Sequence, residues 1–183
     1  MTAGVAILKQ TISRLFFLGI AMGVSLSINC FARTNAVPCA ANPENRQLDY
    51  WLGNWSIGAA DSSGSAHSTV SSSLDRCLII ENWDGGMGHS GQNMFGYSAE
   101  DKNWYGMFAD NEGRVHVFTS GKVSSGSAEF EGTSRGPKGE TVLNRVKIMR
   151  LKPNQVEQTW EKSNDNGATW SVAFRGEYFR ANH

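Results

Sequence analysis

Glu81 is the acid with the most unusual setting. It lies in Cys77-Leu78-Ile79-Ile80-Glu81-Asn82-Trp83, where strand alternation puts its side chain on one face with Ile79 and Trp83. A carboxyl group withdrawn from water is costly as an anion and titrates at higher pH. It suits either a general acid or base or a polar anchor for a ligand. The same alternation groups Gln92 with Met94, Asn144 with Val142 and Val146, and Gln158 with Val156 and Trp160, while Arg145 and Lys147 point the other way. Trp104 and Phe108 add aromatic wall. A few amides and one carboxyl group among aromatic and aliphatic side chains is the usual make-up of a small-molecule pocket. The candidate ligand-binding residues are therefore Glu81, Trp83, Gln92, Met94, Asn144, Gln158 and Trp160.

Other chemistries find fewer parts. None of His67, His89, His116 and His183 forms a close-spaced pair with another His or Cys, so no metal site is expected. His67 sits among serines, and His89 lies in the loop Gly88-His89-Ser90-Gly91. His116 alternates with Arg114 and Phe118, opposite Val115 and Val117, which places it on the outer face. A haem pocket would need His89 or His116 at the iron, but a lone histidine is more often structural or solvated, and no cofactor is expected. The Gly-x-Ser-x-Gly motif is absent, and Gly85-Gly86-Met87-Gly88 opens no helix that would aim a dipole at a phosphate. No residue is assigned a catalytic role.

The elements that must carry these side chains are strands. Ser, Thr, Val, Phe, Tyr and Trp dominate, and turn signals recur about every 8–12 residues, the rhythm of a sandwich or barrel. Strands are expected over 53–60, 66–74, 77–84, 91–98, 103–110, 114–121, 127–133, 141–151, 155–162 and 169–180. Connections this short cannot make parallel crossovers, so neighbours pair antiparallel in up-and-down order. Ten strands leave two exposed edges unless the sheet closes, so a closed barrel is expected ahead of a two-sheet sandwich. Asn42-Pro43-Glu44 opens a short helix that stops near Gly53.

The N-terminus reads as an export signal. Lys9 and Arg14 precede the apolar run Leu15–Val24, and small residues follow at Cys30-Phe31-Ala32 and Thr34-Asn35-Ala36. A spanning helix needs about 20 apolar residues, so residues 1–36 are read as a cleaved signal peptide and 37–183 as one β domain, with no stable membrane insertion after cleavage. Acylation at Cys30 is the alternative, with Asn29 a poor residue to precede it. Loss of Lys9, Arg14 and Arg33 takes 17 basic residues to 14 against 17 acidic, a formal charge of −3. With no basic run, nucleic acid is not an expected partner. Cys39 and Cys77 remain, and a pair in an oxidising compartment reads as a disulfide rather than a redox centre.

Two resemblances attach to particular residues. Gly53-Asn54-Trp55 at the first strand resembles the Gly-x-Trp signature of the lipocalins and wider calycins. That likeness implies that Trp55 plugs the closed end of the barrel under a late-strand arginine, here Arg175 or Arg180, as a cation–π contact. Over nearly the whole mature chain, Tyr50-Trp51-Leu52-Gly53-Asn54-Trp55, Ile80-Glu81-Asn82-Trp83, Leu143-Asn144-Arg145, Gln158-Thr159-Trp160-Glu161 and Asp165-Asn166-Gly167-Ala168-Thr169-Trp170 resemble a family of exported bacterial domains of unknown function, the type numbered 1579. This implies a calycin-like barrel and no particular activity. Ser163-Asn164-Asp165-Asn166-Gly167-Ala168-Thr169-Trp170 also resembles the sialidase Asp-box, but one copy in a chain too short for a propeller reads as a hairpin turn.

The expectation is thus an exported, non-enzymatic, calycin-like barrel of ten antiparallel strands that holds a small amphipathic or apolar ligand. The alternatives are a cavity enzyme of isomerase or cyclase type using Glu81, and a filled barrel serving as a structural module.

Overall fold

Alternating inward and outward side chains, cut by Gly, Asn and Pro turns, give ten strands. The computed structural model describes residues 37–58 and 66–181, so the segment read as a signal peptide lies outside the described residues. The strands are β1 (Gly53–Gly58), β2 (Ala66–Ser73), β3 (Leu78–Gly86), β4 (His89–Ser98), β5 (Asn103–Asp110), β6 (Val115–Ser124), β7 (Ser127–Arg135), β8 (Thr141–Lys152), β9 (Gln155–Ser163) and β10 (Ser171–Arg180). Each pairs antiparallel with its sequence neighbour, and β10 returns to β1 with Arg180 opposite Trp55, closing the barrel. The architecture is the expected up-and-down one, consistent with a calycin-like barrel, and closure removes both sheet edges.

The short helical segment before β1 differs in kind from the expected α-helix. It consists of two 3₁₀ turns, Glu44–Arg46 and Asp49–Trp51. Three residues per turn stack positions i, i+3 and i+6 on one side, and Asn45, Leu48 and Trp51 are all buried there. Asn42 does act at its start, its Oδ1 accepting the Glu44 amide at 3.1 Å. The segment crosses the end of the barrel where the chain enters β1 and leaves β10. Tyr50 donates to the Ile148 carbonyl at 2.8 Å and Trp104 to Gln47 at 3.2 Å, fastening the lid to β8 and β5.

Trp55 seals this end. Its Nε1 donates to the Trp51 carbonyl at 2.9 Å, and the Arg180 guanidinium lies 4.4 Å from its ring centroid while donating to the Leu52 carbonyl at 3.0 Å. The arginine is Arg180 and not Arg175, which lies on the outer face and pairs with Glu157 at 2.8 Å. Gly53 belongs to the same device. Its φ is +137°, and a Cβ there would sit 2.3 Å from Arg180 Nη1. Below the plug, Trp51, Phe95, Trp104, Phe118, Phe130, Val146, Ile148, Val156 and Tyr178 fill the closed half of the barrel. Cys39 and Cys77 are bonded, Cα to Cα 5.0 Å, which ties the N-terminal arm to the β2–β3 turn at that end.

Among the described residues no helix is long and apolar enough to cross a membrane.

Candidate functional site

The opposite half of the barrel is not filled. A cavity of about 290 Å³ opens at the end bearing the β3–β4, β5–β6 and β9–β10 turns. Its apolar wall is Trp83, Phe108, Trp160 and Phe174, with Asn93, Gln158 and His116 among them. The rings hold one another edge-on. Trp83 and Phe174 are 5.8 Å apart, Phe108 and Trp160 5.1 Å, and His116 and Trp160 4.7 Å, all near perpendicular.

Glu81 is wholly buried on the inner face with Ile79 and Trp83, as alternation required. It lies beneath the cavity rather than on its wall. Ser68 donates to its Oε1 at 2.8 Å and Asn93 Nδ2 to its Oε2 at 2.7 Å. The Tyr178 hydroxyl and the Gln158 amide complete the polar ring, and Tyr178 also donates to Gln158 Oε1. Burial pushes the Glu81 carboxyl up, and the four hydrogen bonds only partly offset it. Burial and the neighbouring Glu81 likewise raise the Tyr178 phenol well above its ordinary value. Asn93 and Gln158 reach both the carboxyl group and the cavity, so they link the two.

The other candidates divide. Trp83, Gln158 and Trp160 line the cavity. Asn144 is buried behind Trp160, accepting its indole N–H at 3.1 Å and so fixing the ring from the far side. Gln92 is exposed on the outer face, bonded to Asn82 at 2.7 Å, and Met94 shares that face, contrary to the inward reading of both. The alternation of β4 is intact but its inner face is the other one, carrying Asn93, the wholly buried Phe95 and Tyr97, while the ladder to β3 holds a bulge at Gly85. With Gly86 opposite His89, an unbroken ladder would place Met94 against Glu81, but pairing resumes with Asp84 opposite Ser90, and Glu81 meets Asn93.

His116 also corrects the sequence reading. Val115 and Val117 are the exposed residues, and His116 faces inward opposite Phe108, on the cavity wall. Burial, with Lys162 and Arg114 nearby, holds its pKa below the ordinary histidine value despite Asp110. Asn93, His116, Phe174 and, at the mouth, Asp110, Arg114 and Lys162 are among the wall residues missed in sequence. The signal for Asn93 and His116 was cross-strand register, since directly paired residues share a face.

Three side-chain atoms on this wall are buried without a protein partner among the described residues: Trp83 Nε1, Asn93 Oδ1 and His116 Nδ1. Each unpaired buried group costs about 1–3 kcal/mol, so the residues of this wall carry hydrogen-bonding capacity that the protein leaves unused.

At the rim, Arg114 is held by Asp110 at 2.6 Å and by Glu112 at 2.8 Å, and His89 meets Glu112 at 2.7 Å. Burial alone would raise the Asp110 carboxyl, but hydrogen bonds from Arg114 and from the Arg114 and Glu112 amides hold it below its ordinary value. On the β9–β10 hairpin, Asp165 accepts the Thr169 amide at 2.9 Å and hydroxyl at 2.6 Å and the Ser163 hydroxyl at 2.7 Å, which lowers its pKa to about 2. Trp170 lies under the Arg145 guanidinium, 3.9 Å from its centroid. The Asp-box-like segment is therefore a self-satisfied turn beside the mouth.

Among the described residues, no three His, Cys, Asp or Glu side chains gather as a metal site. Comparison with models of known protein families finds no match, and comparison with curated protein sequences finds none either.

Proposed function

We propose that this chain is an exported binding protein that holds a small, partly apolar molecule in the open half of its barrel. The observation that carries the reading is the cavity itself: four aromatic side chains around about 290 Å³, with buried hydrogen-bonding atoms on the wall that lack protein partners. At roughly 30 Å³ per water, the space equals about ten waters, at the small end for ligand sites. One or two fused rings with a polar substituent fill it. Export is supported by the order of basic, apolar and small residues before residue 37 and by the Cys39–Cys77 bridge, which suits an oxidising compartment. The likeness to exported bacterial domains of the type numbered 1579 agrees with this reading and rests on the motifs alone.

Binding is favoured over catalysis by Glu81, because Asn93 and Gln158 stand between its carboxyl group and the cavity. A general acid or base must come within hydrogen-bond reach of the reacting group, directly or through one water. In this reading Glu81 instead orients the two amides that meet the ligand. Titration with a small neutral aromatic amide, read at the individual tryptophan indoles, tests the proposal. Perturbation confined to the cavity tryptophans supports it, and no perturbation contradicts it.

A further inference from the structure

The rim charges around the cavity are not equivalent. Arg114 is matched by Asp110 and Glu112, so its charge is already spent inside the protein. Lys162 is different. It lines the cavity and also an adjoining pocket at the mouth, beside Val115, Ser134 and Val142 of β6, β7 and β8, yet among the described residues it makes no ion pair. It stands close enough to His116 to oppose that ring's protonation, which places its charge at the inner mouth. The acidic side chain on the cavity wall is Asp110, whose carboxylate is 3% exposed and committed to Arg114. The adjoining pocket adds Arg135, which donates to the Gly139 carbonyl at 3.1 Å, and Glu140, which accepts the Lys138 amide at 2.9 Å. Among the described residues that line the cavity, Lys162 is therefore the cation with no side-chain ion pair, at the mouth above an aromatic wall.

We infer that the cavity selects an amphipathic monoanion, its flat apolar body between Trp83, Phe108, Trp160 and Phe174 and its acidic group at the mouth beside Lys162. This rests on the binding reading above and narrows its ligand class. An anion placed there keeps partial contact with water and gains a charge-assisted hydrogen bond, which avoids the desolvation cost of burying it deeper. The deep end of the cavity offers the Asn93 and Gln158 amides and, among the described residues, no cation, so an acid entering head-first would be buried without a counter-charge, and the tail-in orientation follows.

The test uses a matched pair of probes, 2-naphthoate and 2-naphthamide, equal in ring and near-equal in size but differing in charge. Calorimetric titration of the protein at pH 7 should give naphthoate tighter by on the order of tenfold. That preference should shrink as salt is raised. In Lys162→Met it should fall to near parity, with naphthoate losing more affinity than naphthamide, and in Lys162→Glu it should invert. Lys162 makes no side-chain hydrogen bond among the described residues, so both variants are expected to fold, and circular dichroism confirms this before titration. Equal affinities in wild type, or a preference that survives Lys162→Met, overturn the monoanion inference while leaving the binding reading in place. Failure of both probes to bind overturns the two together.

Discussion

Replacing Trp55 by Ala should loosen the closed end of the barrel, and its cost follows from what the ring touches. Trp55 is 1% exposed, and an indole of this kind buries about 150–250 Å². At about 25 cal/mol per Å² that is about 4–6 kcal/mol, an upper figure because the unfolded chain already hides part of the ring. Loss of the Nε1 hydrogen bond leaves the Trp51 carbonyl without its partner. Tryptophan truncations in cores cost about 3–5 kcal/mol, and that is the expected range here. Arg180→Met keeps an aliphatic stem over the ring but removes the guanidinium and its bond to the Leu52 carbonyl. A double-mutant cycle between the two should return a coupling of about 0.5–2 kcal/mol. The assay is equilibrium urea unfolding followed by far-ultraviolet circular dichroism, with midpoints compared at constant slope. Naphthamide affinity in Arg180→Met should equal wild type, since the cavity lies at the opposite end. A Trp55→Ala cost below about 1.5 kcal/mol, or additive effects of the two substitutions, would refute the plug as the seal of the barrel.

Two further outcomes follow from the same structure. Cys39→Ser opens a bridge spanning 38 residues and should lower unfolding free energy by about 2–4 kcal/mol while the barrel circular-dichroism signal persists; loss of the fold would show that the arm, not the closed sheet, holds the molecule. Glu81→Gln should change the pH dependence of stability. The folded carboxyl pKa is raised above 4.5, so its favourable contribution is full below that value and is lost as pH rises through the folded pKa. Wild type should therefore lose stability relative to Glu81→Gln between mildly acidic and alkaline pH, and a difference that stays flat from pH 4 to 9 would show that Glu81 is not the buried acid described.

The barrel was legible because strand alternation and turn chemistry are local. Ten strands, short links and the need to bury two edges leave few topologies, and the strand bounds follow within a few residues. The Gly53–Trp55 pair was legible as a motif, although choosing between Arg180 and Arg175 needed the β1–β10 register. On β8 and β9 unbroken alternation placed Asn144, Gln158 and Trp160 inside. On β4 the alternation holds but the inner face is the other one: Phe95 and Tyr97 pack inward where Met94 was expected to, and Asn93 goes inward with them in place of Gln92. On β6 two valines outweighed one histidine in the apolar pattern, yet a barrel's outer face tolerates valine, and His116 follows its partner Phe108 inward. Whether the open half holds space or packed side chains depends on how distant rings meet, which no local pattern reports.

The six tryptophans supply the most direct test of the cavity as a ligand site. Trp83 and Trp160 line it, Trp51, Trp55 and Trp104 lie in the closed end, and Trp170 lies on the β9–β10 hairpin. In ¹H–¹⁵N spectra each indole N–H gives its own signal, so titration with 2-naphthamide reports on each ring separately. The Trp83 and Trp160 signals should move progressively and saturate, with those of Trp51 and Trp55 fixed. Unchanged spectra at millimolar probe, or movement confined to Trp170 and the closed end, would contradict a binding cavity in the open half of this barrel.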